Sequence, residues 1–275
     1  MYYAVPMPLS EQEIETYRRD GLVIPSQFRL SEEWLARVDA LYEQLLEDNR
    51  DVEEFSADFI LGPHLDSTGT YGVRGNPEWL DIIRNPDILD LVEQLIGPDL
   101  VLWGVTIFGK PARTGKATPW HQDGDYYPIE PLETLTVWIS LDGSTPEQGC
   151  MRYIPGSHRE HKIFSHHFEH RDDYTLAQVI DDDQVDLGEA RDIVLEAGQL
   201  AMFDVYLVHG SGPNLSDKRR MGLVFRIMPA SSFYNHQSGK IKEDAGSPHG
   251  YSNRALFLLR GEDKSGQNDF VRGHV

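Results

Sequence analysis

Trp120-His121-Gln122-Asp123-Gly124 stands at the head of an apolar, β-rich block, and a second short motif, His209-Gly210-Ser211-Gly212, lies far downstream. In an extended chain alternate side chains share a face, so His121 and Asp123 are expected to point one way and Gln122 the other. An imidazole and a carboxylate on one face, closed by a distant second imidazole, make a two-His-one-carboxylate set. That set suits a non-haem Fe(II) ion and leaves one side of the metal open to other ligands. A His-x-Asp triplet alone is weak, because chance supplies it readily; its setting among strands gives it weight.

The surrounding pattern is that of strands. Residues 100–108, 134–141, 150–154, 192–195, 200–203, 206–209 and 221–228 are rich in β-branched and aromatic side chains and are separated by Gly, Pro and Asp turns. Seven or eight short strands in such a span predict a double-stranded β-helix, the jelly-roll or cupin-like core. Before it, residues 1–99 are expected to be mostly helical. Ser10 and Glu13 form a capping box, and Ser31 caps a second helix whose Trp34, Leu35, Val38, Leu41, Tyr42, Leu45 and Leu46 make one apolar stripe. Asp20-Gly21 followed by Leu22-Val23 predicts a turn and short strand. Residues 77–84 and 86–96 predict two short helices, the second capped by Asn85. Residues 51–75 are expected to loop over the core, with His64 in the loop or at the surface. The mainly β chain with flanking helices is thus expected to be one domain over 1–275. Its jelly-roll core spans 100–230, a polar insert 156–190, and a tail 231–275; insert and tail are the expected lids.

Composition narrows the partners. With 25 Lys and Arg against 45 Asp and Glu, the formal charge is −20, which argues against nucleic acid or an anionic membrane surface. No apolar run approaches a bilayer span, and Met1–Ser10 lacks the apolar core of a signal peptide, so a cytoplasmic location is expected. The single cysteine, Cys150, excludes an intrachain disulfide and a multi-thiolate zinc site, and it is expected to be a small buried residue. The expected partner is a small-molecule substrate, with a homo-oligomer left open.

Eleven residues beyond His209 comes Arg220, at the head of an apolar strand. A guanidinium fork is the natural partner of a carboxylate, and an Fe(II) site that chelates a dicarboxylic keto acid needs such a cation at the far end. At this point a resemblance is plain. Trp120-His121-Gln122-Asp123, Tyr126-Tyr127-Pro128, residues 137–142, Gln148-Gly149-Cys150, residues 154–159, His209-Gly210-Ser211-Gly212 and Arg220 resemble the phytanoyl-CoA dioxygenase family of Fe(II)/2-oxoglutarate-dependent oxygenases. Residues 17–23 resemble the family's N-terminal segment. The resemblance implies Fe(II) bound by His121, Asp123 and His209. It also implies 2-oxoglutarate anchored by Arg220 with Ser211, Trp138 beside the metal pocket, and O2 as co-substrate. It implies oxidation of an unactivated C–H, with release of succinate and carbon dioxide. Because Asp123 occupies the carboxylate position that related halogenases lack, hydroxylation, desaturation or ring chemistry is expected.

Other features invite plainer accounts. His158, His161, His166, His167 and His170 form a run in a polar stretch that fits a solvated loop better than a second metal site. Tyr126 and Tyr127 are as well suited to substrate lining as to core. Lys110 suits a solvated strand end better than an anion contact. Two other classes of function compete: a non-oxygenase, cupin-like metalloenzyme using zinc or manganese, and a catalytically idle binding protein. Arg220 counts against both, since neither needs a keto-acid anchor. The substrate stays open among amine metabolites, aminoalkyl phosphonates, natural-product intermediates and acyl-CoA, with a free small metabolite favoured over a CoA ester.

Overall fold

Ser10 opens the first helix in the expected way. Its side chain accepts from the Glu13 amide, while the Glu13 carboxylate accepts from the Ser10 amide. α1 (Glu11–Asp20) ends at Gly21, whose φ of 80° suits glycine, and a Cβ there would meet the His158 ring at 2.5 Å. β1 (Leu22–Val23) follows directly. α2 (Glu32–Asp48), capped by Ser31, buries Val38, Leu41, Tyr42 and Leu45. β2 (Phe59–Leu61), α3 (Trp79–Ile83) and α4 (Pro86–Ile96), the last capped by Asn85, complete this part. The computed structural model describes residues 8–52, 55–65, 73–181, 183–244 and 250–274. Residues 1–7, on which the signal-peptide expectation rested, lie outside them.

The remaining strands are β3 (Leu100–Lys110), β4 (Thr118–His121), β5 (Ile129–Glu130), β6 (Leu135–Ser140), β7 (Met151–Tyr153), β8 (His166–Phe168), β9 (Gln178–Ile180), β10 (Arg191–Asp192), β11 (Leu200–Asp204), β12 (His209–Ser211), β13 (Arg220–Pro229), β14 (Phe233–Tyr234) and, after α5 (His236–Asp244), β15 (Phe257–Arg260). The larger sheet runs β1-β11-β6-β13-β3-β15, with β2 also paired to β3; the smaller runs β10-β7-β12-β4. This is the double-stranded β-helix expected from the sequence. Among the described residues no helix is long and apolar enough to cross a membrane.

Alternation on the larger sheet decides where chemistry can occur. On β13, Met221, Leu223, Phe225 and Ile227 pack into the core with Val38, Leu41 and Ile88 of the helices. Arg220, Val224 and Arg226, on the other face, line a cavity. β6 divides in the same way: Leu135, Val137 and Ile139 meet the helices, while Thr136 and Trp138 face the cavity. The helices therefore seal one face of the sheet, and the smaller sheet closes over the other.

Three expectations need correction. Residues 206–208 of the expected 206–209 strand lie outside any strand: Asp204 Oδ1 accepts from the Tyr206 amide and the Leu207 amide donates to the Asp204 carbonyl. A local side-chain-to-backbone bond here overrides the β propensity of Val205, Tyr206 and Val208, so His209 opens a strand instead of ending one. The 51–75 segment contributes β2 to the sheet, its residues 53–54 and 66–72 being outside those described, and His64 is buried at 4% exposure instead of at the surface. The insert 156–190, whose polar composition predicts an irregular stretch, contains a paired hairpin, with His166 opposite Ile180.

Candidate active site

The β4–β12 ladder sets His209 directly opposite His121, with ring centroids 4.3 Å apart. β4 ends at His121, so Asp123 is not on the strand; it begins a single 3-10 turn. Gln122 nevertheless keeps extended torsions (φ −117°, ψ 129°), so the alternation runs one residue past the ladder and Asp123 joins the imidazoles. One ligand atom from each of His121, Asp123 and His209 lies within 4.8 Å of the others, and all three residues are buried. Among the described residues no other such His, Cys, Asp or Glu group occurs.

Hydrogen bonds fix the donors. His121 Nδ1 is 2.8 Å from the Pro119 carbonyl and His209 Nδ1 is 3.0 Å from the Leu207 carbonyl. A carbonyl only accepts, so both Nδ1 atoms carry hydrogen and both Nε2 lone pairs are free to bind a metal. Burial pushes the His209 imidazole down to about 4, keeping it neutral. Burial alone would raise the Asp123 carboxyl, but hydrogen bonding to His121 and the nearby His209 and Arg226 hold it well below the usual carboxylate range. Thr136 donates to Asp123 Oδ2 at 3.2 Å and Tyr126 to Oδ1 at 3.4 Å. Gln122 points away, as expected. Its side chain donates to the Lys162 and Tyr206 carbonyls and accepts from the Phe164 amide, while its own amide donates to His166 Nε2. The insert and the 204–208 turn are thereby tied to the back of the site.

Within the histidine run, His161, His167 and His170 are exposed as expected. His166 is not: its side chain is buried against Gln122. His158 is also buried, with Nε2 3.2 Å from the Arg18 carbonyl, in a structural position.

Arg220, Ser211 and Trp138 line the same cavity as the two histidines and Asp123, a space of about 440 Å3. The Arg220 guanidinium donates to the Gly149 carbonyl at 3.0 Å and lies 5.1 Å from the Trp138 ring centre. Its Nε is buried without a partner, and no carboxylate pairs with it among the described residues. Burial lowers it only to about 10, so it stays charged. An uncompensated buried cation beside three open metal donors fits Fe(II) with a dicarboxylic keto acid. Gly222 matters here, because a Cβ would strike the Trp138 ring at 2.5 Å.

Comparison with known proteins agrees with this geometry. The profile for phytanoyl-CoA dioxygenase (PhyH) matches residues 17–222. The chain belongs to the phytanoyl-CoA dioxygenase family. Over 154 residues it is 29% identical to a probable alpha-ketoglutarate-dependent hypophosphite dioxygenase of Stutzerimonas stutzeri, covering 55% of this chain and 53% of that protein. Over 160 residues it is 28% identical to L-proline trans-4-hydroxylase of Streptomyces griseoviridis, covering 52% and 60%. The chain thus spans about half the length of the curated relatives it matches. Among solved structures, the apo non-heme monooxygenase ThoJ superposes with a TM-score of 0.69 at 27% identity, covering 91% of this chain and 84% of that one. EvdO2 of Micromonospora carbonacea complexed with 2-oxoglutarate gives 0.61 at 26% identity, covering 82% and 93%.

This PhyH-family chain holds further site features that sequence reasoning missed or misread. Lys110 is not a solvated strand end; it is buried, and its Nζ donates to the Lys116 and Gly212 carbonyls. Burial pushes it down to about 6. It fixes the loop that follows Ser211. Cys150 is buried as expected, its thiol pushed up to about 11 by burial. A second cavity, of about 380 Å3, adjoins the first through Phe108, Leu176 and Arg226. Tyr126 and Tyr127 do line it, joined by Trp103 and Tyr251. Arg226 was missed, although it shares a strand face with Arg220 six residues on and is the one charge inside an apolar strand, which is the signal that reveals it.

Proposed function

We propose that this protein is an Fe(II)- and 2-oxoglutarate-dependent dioxygenase acting on a C–H bond of a small-molecule metabolite. His121, Asp123 and His209 hold the iron; Arg220, with Ser211, holds the distal carboxylate of the keto acid. The observation that carries this is the meeting of three buried donors within 4.8 Å beside a buried guanidinium that has no carboxylate partner. When bound, iron, keto acid and O2 supply the oxidising power, with release of succinate and carbon dioxide.

The chain's own residues do the rest. The two Nδ1–carbonyl bonds lock the imidazole planes, and Thr136 orients the carboxylate. Phe108, Met151, Phe203 and Val224 wall the cavity and exclude water, so that Arg220 acts in a low-dielectric setting. The two named relatives carry hypophosphite and L-proline in their names, which supports a compact substrate. A cytoplasmic location and operation of the whole chain as one unit belong to the same proposal.

The test is aerobic incubation with Fe(II), ascorbate, 2-oxoglutarate and a panel of small metabolites, reading succinate. Succinate that rises with a substrate and requires iron supports the assignment. No succinate with any substrate, together with zinc in the purified protein, would favour a non-oxygenase metalloenzyme.

A further inference from the structure

Three arginines line the cavity system, the buried Arg220 and Arg254 and the half-buried Arg226, while 2-oxoglutarate needs an anchor for one distal carboxylate; Arg254 lies over the Tyr251 ring at the tail end. Arg220 and Arg226 lie on the same face of β13, six residues and hence about 20 Å apart along an extended strand. Arg220 lines the metal cavity and not the aromatic one; Arg226 lines both.

Arg226 is held by neutral groups. Its Nε donates to the Tyr127 hydroxyl at 2.5 Å and its Nη1 to Thr106 Oγ1 at 2.7 Å. Nη2 makes no hydrogen bond and the guanidinium no ion pair among the described residues. Asp123 acts on it electrostatically, but that carboxylate is the one committed to the metal. A fixed, charged fork with a free edge in a half-buried, aromatic-walled cavity calls for an oxyanion. The walls beside it are Trp103, Tyr126, Tyr127 and Tyr251.

We infer that Arg226 anchors an anionic group of the substrate, a carboxylate or a phosphonate, while the substrate's body lies against the aromatic walls of the second cavity. This rests on the dioxygenase assignment for calling the bound molecule a substrate. The anion site itself does not depend on that assignment. It turns the expectation away from a purely cationic amine, since an arginine, not a carboxylate, faces the space beyond the metal.

The experiment titrates protein loaded anaerobically with Fe(II) and saturating 2-oxoglutarate with benzoate, phenylphosphonate and the neutral benzamide. Calorimetry reports binding, and the visible absorption of the iron–keto-acid pair reports whether the keto acid stays. One or both anions are expected to bind at least about tenfold more tightly than benzamide with the absorption retained. Arg226→Gln is expected to erase that preference, a loss of about 10- to 100-fold. The preferred anion separates a carboxylate site from a phosphonate site. Equal affinity for anions and benzamide overturns the inference without any variant, which covers a fold too fragile for Arg226→Gln. Anion binding that displaces the keto acid, or that survives Arg226→Gln, also overturns it. If the absorption never develops, the dioxygenase assignment fails, and the same titration on metal-free wild type and Arg226→Gln still decides the anion site.

Discussion

The two ends of the cavity are built differently. At the metal end every side chain sits on or beside a ladder: His121 faces His209 across β4 and β12, Arg220 opens β13, and Thr136 and Trp138 stand on β6. At the aromatic end Trp103 and Phe108 on β3 and Arg226 on β13 are joined by distant pieces of chain, with Phe59 and Leu61 on β2, Tyr126 and Tyr127 after the 3-10 turn, and Tyr251 and Arg254 in the tail. A ladder fixes donors with little freedom to drift, which metal chemistry needs. The part of this wall drawn from an edge strand, a turn and a tail can change without disturbing the chemistry, and that is where selectivity is expected to reside.

Substitutions at the metal end should therefore abolish chemistry, while those at the other end should retune it. The largest effect is expected from His121→Ala or His209→Ala, each of which removes an iron donor; succinate formation should vanish and iron analysis should show little metal retained. A variant that keeps its iron and its turnover would break the contrast. Next comes Arg220→Ala, which deletes a charge-assisted pair without deleting a ligand. The requirement for 2-oxoglutarate should rise by about 10- to 100-fold while iron is retained, read as the keto-acid KM. Thr136→Val removes the hydrogen bond that aims Asp123 and should weaken iron affinity about tenfold, measured by equilibrium dialysis.

The smallest effect concerns the tail side of the molecule. His64, packed on Phe257 of β15 at 5.3 Å, is pushed down to about 3 by burial, then by Arg254 and His274. Its pKa is lower folded than unfolded, so its stabilising contribution is complete above about pH 6.5 and is lost as pH falls toward 3. Between pH 6.5 and pH 5 this amounts to about 2 kcal/mol, from about 1.4 kcal/mol per unit. Urea unfolding of His64→Leu should show a correspondingly shallower acid limb; parallel limbs would mean that His64 does not couple to folding.

The same contrast explains what the sequence disclosed. The metal end was legible because its donors lie in short motifs whose period-2 spacing is read directly, and even Asp123, one turn beyond its strand, kept the alternation through Gln122. The start of β12 was misjudged because Asp204 hydrogen-bonds its own turn, which propensity does not register. Lys110 was misjudged because lysine is solvated by default, and only the fold brings the Lys116 and Gly212 carbonyls to its Nζ. Arg226 lay in plain view at 220, 222, 224, 226 on one strand face, but nothing in the sequence placed Tyr127 and Thr106 beside it. The aromatic end was illegible for a simpler reason: no local pattern links Phe59 to Tyr251.

The most direct measurement of the central claim is an anomalous difference map at the iron edge from crystals grown anaerobically with Fe(II) and 2-oxoglutarate. The account predicts one iron peak bounded by His121 Nε2, the Asp123 carboxylate and His209 Nε2, with keto-acid density reaching Arg220. A peak in the His158–His170 insert, or none between β4 and β12, would contradict it.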